Sequence, residues 1–255
     1  MSKHTTVIGV AARIPGADVL DIAVAEAVRA AGIPTSPDAS AALAEAIYPI
    51  LREKRTATAA EAATRLRRSS AVSRVPDPRP YTSPMLDKVI RRTAGLEDGG
   101  QNVIVEQLDA ASGDLVRQSL PAWLAADDPD VLAEFIRRLQ SAVTRHARQG
   151  ALDLVLDTAR LNECRYRRVL VGETCPFCAA LASRGAIYYS EGSAQFEAHN
   201  GCNCGVELVP KGAKQFDAAS ARLRQLYERA RDTGAVKGTS HAARYRRLLE
   251  KELAQ

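Results

Sequence analysis

Over most of the first 160 positions, apolar side chains recur at intervals of three or four residues. This spacing is typical of amphipathic helices. It predicts helices over residues 18–31, 40–48 and 58–69. Pro49 is expected to end or kink the second helix, because proline has no N–H to donate. Thr58 followed by Glu61 resembles a capping box and is expected to start the third helix.

A proline-rich segment separates these helices from a second helical region. Residues 75–80 carry three prolines in five positions, which predicts a linker or an extended arm. Beyond it, helices are expected over 84–94, 130–149 and 151–161, with Gly150 breaking or kinking the last two apart. The stretch 99–105 is interpreted as a turn that leads into a brief strand or another helix. His146 is interpreted as a surface or packed histidine.

The pattern changes after residue 162, where short apolar runs predict strands. They lie at 168–172, 186–189 and 205–210, with a helical turn over 179–182. Gly185 is expected to let the chain reverse between the first two strands. Alanine, leucine and arginine dominate the composition and only 5% of residues are aromatic, which favours packed helices elsewhere. No apolar run reaches eighteen residues and no secretory signal is recognised, so no membrane span is expected and the cytoplasm is the expected compartment.

Four of the five cysteines fall in a thirty-residue window with one histidine. Cys175, Cys178, His199, Cys202 and Cys204 form the pattern C-x2-C-x20-H-x2-C-x-C. Sulfur and imidazole nitrogen are the ligands that Zn²⁺ prefers, so the spacing predicts a closed, structural zinc site. Five candidates compete for four positions, and the sequence leaves Cys202 and Cys204 as alternatives for the fourth. Cys164 is interpreted as a small buried residue outside the site.

Other chemistry fits the cysteine pattern less well. A glutaredoxin-like thiol-disulfide oxidoreductase could use Cys175-Pro-Phe-Cys178, but helices precede the motif and no later cis-proline strand is recognisable. It would also leave the histidine and the later cysteines unexplained. In zinc deaminases the histidine precedes the Cys-x-x-Cys, whereas here it follows. Cysteine-protease, P-loop and GxSxG patterns are absent, so no enzymatic activity is expected.

The net charge of +5 is concentrated at the C-terminal end. Residues 211–255 carry eleven Lys and Arg against five Asp and Glu. A basic helical tail can contact nucleic acid or an acidic partner, and a zinc-containing nucleic-acid-binding protein is therefore an alternative. Arginine-rich helices are also often simply solvated, and the sequence leaves both interpretations open.

Together these features predict a mainly α protein with a small α+β zinc knuckle of the treble-clef or zinc-ribbon kind. Its predicted parts are an N-terminal helical region (1–74), a proline-rich linker (75–84), a central helical region (85–162), the zinc-binding element (163–210) and a basic helical tail (211–255).

Two segments carry a resemblance to a known family. Residues 168–188 hold Arg-Val ahead of the Cys-x-x-Cys and then Leu-Ala-Ser-Arg-Gly-Ala-Ile-Tyr, and residues 196–210 hold the His and Cys-x-Cys ending. This region resembles the C-terminal half of the MuF-like minor capsid (head morphogenesis) proteins of tailed bacteriophages, especially those of actinobacteria. The specific similarity covers about residues 145–210. Asn200-Gly201 between the histidine and Cys202 departs from the family pattern.

The resemblance implies a structural role in the virion. A few copies would lie inside the head near the portal and assist assembly, packaging or genome delivery, after residence in the host cytoplasm. Portal, capsid and scaffold proteins are the implied partners, and packaged double-stranded DNA is a further one through the tail. Some relatives carry a fused protease or toxin domain. The forty-five-residue tail is too short for either, which favours an unfused form.

Overall fold

The computed structural model describes residues 8–10, 14, 16–97, 100–108, 115–170, 176–187, 204–232 and 241–253, and these residues are mainly helical. The α-helices are α1 (Ala17–Ala31), α2 (Pro37–Arg67), α3 (Ser83–Ala94), α4 (Pro129–Leu161), α5 (Pro176–Ala182), α6 (Ala218–Asp232) and α7 (His241–Leu253). The strands are β1 (Ile8–Val10), β2 (Asn102–Leu108), β3 (Leu115–Pro121), β4 (Arg165–Val169) and β5 (Gly205–Val209). Within the described ranges, no helix combines the length and the apolar character that a bilayer span requires.

Two helices follow the predicted bounds closely. α1 buries Leu20, Val24 and Val28, and it ends where the N–H of Gly32 donates to the carbonyl of Val28 at 2.7 Å. α3 begins one residue before the predicted start and carries a proline in its first turn. Proline is tolerated there because the N–H groups of the first turn make no hydrogen bond within the helix. Strong amphipathic spacing and clear stop signals made both helices predictable.

The predicted helix end at Pro49 is wrong. α2 continues through Pro49 to Arg67, so the second and third predicted helices form one helix. Thr58 and Glu61 lie inside this helix and do not cap the start of another. Pro49 is exposed, and the carbonyl of Glu45, which loses its helical donor, belongs to an exposed residue that water can reach. Ile47 and Leu51, on either side of Pro49, are fully buried in the same core, and their burial outweighs one missing hydrogen bond.

The predicted helix end before Gly150 is also wrong. α4 runs without interruption from Pro129 to Leu161. Glycine inside a helix costs about 1 kcal/mol relative to alanine. Ala151 and Leu152, which follow it directly, are fully buried, so helix continuation places apolar side chains in a core at that modest expense. At the other end, the Asp128 carboxylate accepts from the N–H of Asp130 at 2.8 Å and caps the helix.

An antiparallel hairpin occupies the stretch for which the sequence predicted either a brief strand or another helix. β2 pairs with β3 in a seven-residue register from Asn102↔Pro121 to Leu108↔Leu115. Val103 is buried, whereas Ile104 is largely exposed. Val103 therefore faces the core and Ile104 faces away from it, as the alternation of side chains along a strand requires.

The chain divides into two compact units. One comprises residues 14–57 and 79–148, and its core joins side chains of α1, α2, α3 and α4, among them Leu20, Leu51, Ile90, Phe135 and Leu139. Polar bridges link its helices. The Ser40 hydroxyl donates to the Asp87 carboxylate at 2.7 Å, and the Gln140 amide donates to the carbonyl of Asp21 at 2.7 Å.

The other unit comprises residues 1–13, 58–78 and 149–255. Its sheet has the order β1-β5-β4, with both pairs antiparallel. Buried side chains from the later parts of α2 and α4 pack with the sheet residues Tyr166, Val206 and Leu208. β4 and β5 confirm two predicted strands, although β4 begins three residues earlier than expected. β1 was not predicted.

The predicted strand at 186–189 is wrong where it can be followed. Ala186 and Ile187 lie in irregular structure, and the N–H of Ala186 donates to the carbonyl of Gln215 at 2.9 Å rather than to a strand. Residues 188 and 189 lie outside the described residues. The backbone at Ala186 runs beside the segment that leads into α6. Its hydrogen-bond partner is therefore about thirty residues away in sequence.

The predicted helical tail is present as α6 and α7. Both helices pack with α5 around a small core of Ala179, Leu226, Ala230, Tyr245 and Leu249. Tyr227 and Tyr245 meet edge to face with ring centroids 5.4 Å apart. Both tail helices therefore share a core with the short helix of the Cys-x-x-Cys motif.

His146 is packed, in line with its interpretation from sequence. Its ring centroid lies 5.5 Å from that of Tyr81, and the Arg145 guanidinium approaches its Nε2 at 3.0 Å. Arg55 lies over the Tyr81 ring and donates to the carbonyl of His146 at 2.7 Å. Burial, and then the charges of Arg145 and Arg55, lower the pKa of His146 to about 3.

This histidine predicts an acid-sensitive fold. Between pH 6.5 and about 3, His146 is protonated in the unfolded chain but neutral in the folded protein. The contribution of neutral His146 to the free energy of unfolding is therefore complete above pH 6.5 and is lost as the pH falls. Relative to a His146→Gln variant, the wild-type free energy of unfolding should fall by up to about 1.4 kcal/mol per pH unit in this range. Urea titrations of both proteins at several pH values measure the difference. Parallel pH profiles would contradict the assignment.

Candidate metal centre

The two faces of the β4–β5 pair carry different chemistry, because side chains alternate along a strand. Tyr166 lies opposite Leu208 and Arg168 opposite Val206, so these four residues share one face. The same alternation brings Leu170, just after β4, and Cys204, just before β5, to the end of that face. The hydrophobic core of the unit thus continues into a cysteine-containing corner.

Two predicted ligands meet in this corner. Cys178 comes from α5 and Cys204 from the start of β5; their exposed fractions are 0% and 5%, and they pack together against Leu170. Arg168 reaches over from β4, and its Nη1 donates to the Cys178 sulfur at 3.2 Å. Arg168 is itself only 4% exposed. The corner therefore holds two buried thiols and a buried cation.

The remaining predicted ligands, Cys175, His199 and Cys202, lie outside the described residues. Among the residues that the structure does describe, no three potential metal ligands converge. The donor set present is two soft sulfur atoms from distant parts of the chain, which is the chemistry that Zn²⁺ selects. The structure thus brings together one cysteine of the Cys-x-x-Cys pair and one of the Cys-x-Cys pair.

Cys164 lies away from this corner, as the sequence predicted. It is buried in the apolar core of the same unit, and its thiol donates to the carbonyl of Asn162 at 3.4 Å. Burial raises the pKa of the Cys164 thiol. This thiol is a packed, protonated group.

The opposite face of the pair is held by a charge cluster. Arg167 lies directly across from Glu207, forms an ion pair with it, and also reaches the Asp217 carboxylate at 3.2 Å. Asp217 caps α6 by exchanging hydrogen bonds with Ser220. Burial alone would raise the pKa of Asp217, but the Ser220 hydrogen bonds and the Arg167 charge outweigh it and hold that pKa below its usual range. One guanidinium thus ties β4, β5 and α6 together.

Gly185 makes the reversal after α5, as predicted. Its φ of 65° is in the left-handed region that favours glycine. A Cβ at this position would lie 2.7 Å from the Phe216 ring and 2.8 Å from the carbonyl of Gln215. The close approach lets the segment after α5 pack against the segment that leads into α6.

No contact of Arg167 or Arg168 was predicted, although Arg168 belongs to a predicted strand and to the family pattern. A signal for Arg168 was available. Arg168 lies two residues after Tyr166 and two residues before Leu170, so its side chain is on the same face of the strand as theirs. That face packs inward, where a buried charge without a partner is unfavourable. A cation at such a position predicts a specific partner.

Comparison with known proteins supports a phage context. A family model described as VG15 protein matches residues 107–232, just under half of the chain. The match associates the chain with phage virion proteins and does not specify a role in the head. No curated protein and no solved structure matches the chain. The matched range contains the cysteine corner and α6.

The charge cluster predicts a sharp contrast between two arginine substitutions. Arg167→Met should lower the free energy of unfolding by about 3 kcal/mol, because it leaves the half-buried Glu207 without its partner. Arg117→Met removes an exposed pair, with side chains 75% and 50% exposed, and should cost less than about 1 kcal/mol. Denaturant titrations of both variants measure the difference. Equal losses would show that the cluster does not hold the sheet.

Proposed function

We propose that this chain is a structural, non-enzymatic minor capsid protein of the MuF-like kind in a tailed phage. In this proposal it associates with the portal inside the head, aids head morphogenesis and contributes to DNA packaging or ejection. Two lines support it. The phage-family match covers residues 107–232, and the similarity to MuF-like sequences at 145–210 falls inside that range.

A structural zinc site is part of the proposal. Cys175, Cys178, His199 and Cys204 would hold the ion, with Cys202 as the alternative to Cys204. The observation that carries it is the burial of Cys178 beside Cys204, since two thiols from opposite ends of the motif meet at one corner. Bound zinc would supply folding free energy by cross-linking α5 to β5.

The strand arrangement argues against the redox alternative. A glutaredoxin-like site needs a βαβ unit with parallel strands around the Cys-x-x-Cys helix. Here β4 precedes α5 and pairs with the following β5 in the antiparallel sense.

Metal analysis tests the zinc site. The purified protein should contain about one zinc ion per chain, and chelation should unfold the element around residues 165–210. Cys178→Ser and Cys204→Ser should each abolish stoichiometric binding, whereas Cys164→Ser should retain it. Elemental analysis and circular dichroism with and without chelator provide the readout. Cys204→Ser with full zinc content, together with loss in Cys202→Ser, would assign the fourth position to Cys202.

Association with the head tests the virion role. When the chain is co-expressed with the portal and major capsid proteins of its own phage, it should co-purify with portal-containing particles. Its internal location predicts protection from added protease in intact heads and digestion in disrupted ones. Recovery only as free protein, or digestion in intact heads, would count against the proposal.

The exposed side of α7 supports a second role, contact with packaged DNA. All four arginines of α6 form ion pairs, for example Arg224 with Glu228 at 2.5 Å. Arg246 and Arg247, in contrast, are exposed on α7. Adjacent solvent-facing guanidinium groups suit phosphate contacts, which are independent of sequence.

Salt dependence of DNA binding tests this role. Replacing Arg246 and Arg247 together by Gln should weaken binding uniformly across sequences and reduce the salt slope by about two. The matched control replaces Arg224 and Arg231, which have carboxylate partners, and should change the slope less. Fluorescence anisotropy at several salt concentrations measures both. Equal effects, or no measurable affinity of the wild-type protein, would exclude α7 as the contact.

A further inference from the structure

We infer that Arg168 is a positioning residue of the metal site, whose guanidinium holds the Cys178 sulfur and places a positive charge beside the zinc–thiolate centre. This inference rests on the proposed zinc site and adds a residue outside its ligand set. Three features carry it: the hydrogen bond to sulfur, the burial of the cation and the strand from which it projects.

The hydrogen bond is specific in geometry. Nη1 of Arg168 lies 3.2 Å from the Cys178 sulfur, a short distance for an N–H donor to sulfur. Cys178 is the second cysteine of the Cys-x-x-Cys pair and sits on a short helix of only seven residues. A charged donor from a neighbouring strand therefore contacts this ligand from outside its own helix. Groups that hydrogen-bond to metal ligands orient them and tune the metal in this way.

Charge balance gives the contact an energetic role. Zn²⁺ with three thiolates and one neutral imidazole carries a net charge of −1. Both described thiols are buried, so an unbalanced charge at this corner would be costly. The Arg168 guanidinium, also buried, places a positive charge beside the Cys178 sulfur and so lowers this cost.

The two neighbouring arginines, Arg167 and Arg168, contact different kinds of group. Arg167 points to the other face of the sheet, where Glu207 and Asp217 are its carboxylate partners. Arg168 points to the face that contains the cysteines. Alternation along β4 thus assigns one arginine to carboxylates and the next to sulfur. Because Arg stays protonated and presents a rigid planar fork, lysine should replace it only in part.

Zinc affinity of the 255-residue chain tests the inference. Competition with a chromophoric chelator measures affinity for Arg168→Met, for Arg168→Lys and for the wild type. Arg168→Met should bind zinc about 10- to 100-fold more weakly, with Arg168→Lys in between. The stoichiometry should stay the same, and the sulfur-to-metal charge-transfer bands of the Co²⁺-substituted protein should shift.

A control on the same strand separates positioning from general support of the fold. Arg165 lies on the opposite face, and its guanidinium donates to the carbonyl of Ala213 at 2.8 Å. Arg165→Met should leave zinc affinity and the Co²⁺ spectrum unchanged. Thermal unfolding with and without zinc adds a second readout, since Arg168→Met should shrink the stabilisation that zinc provides while Arg165→Met should not.

The possible failures can be told apart. If the wild-type protein binds zinc and Arg168→Met lowers stability equally with and without zinc at unchanged affinity, then Arg168 only supports the fold and the inference is overturned. If Arg168→Met does not fold, unchanged affinity and an unchanged Co²⁺ spectrum in Arg168→Lys overturn it instead. If the wild-type protein binds no zinc, the proposed site itself fails and the inference falls with it.

Discussion

The antiparallel pairing of β4 with β5 is the constraint on which the rest of the C-terminal unit depends. It sets Arg167 opposite Glu207 and Arg168 opposite Val206, so two adjacent arginines point to opposite faces. One face ends in Cys178 and Cys204, and the other recruits Asp217 at the start of α6. A shift of β5 by one residue would turn Glu207 to the face that contains the cysteines. The hydrophobic contact of Tyr166, Val206 and Leu208 with the core fixes that register.

The same pairing connects the cysteine corner to the tail. α5 leaves the sheet after β4, carries Cys178 on one side and packs Ala179 against α6 and α7 on the other. Gly185 then returns the chain so that Ala186 can bond to Gln215. The basic helices are thus integrated with the proposed zinc element. Their arginines serve two purposes: those of α6 hold ion pairs, and Arg246 and Arg247 of α7 face solvent.

These features agree with the proposed structural zinc site, because buried thiols beside a buried guanidinium suit a metal that cross-links structure. The association with phage virion proteins over residues 107–232 agrees with such a role. A small element of this kind has limited apolar surface to bury, which gives a metal cross-link a clear purpose.

The sequence by itself determined the helical character of the chain, the bounds of α1 and α3, and the cysteine positions, because periodicity and ligand spacing are local signals. It failed at Pro49 and Gly150, since local breakers were overridden by burial of Ile47, Leu51 and Leu152 in cores that the sequence does not display. Only the tertiary structure decided that Cys204 lies beside Cys178 and that Arg168 donates to sulfur. Those contacts depend on strand register between segments about forty residues apart, and register is fixed by packing on the core rather than by any local pattern.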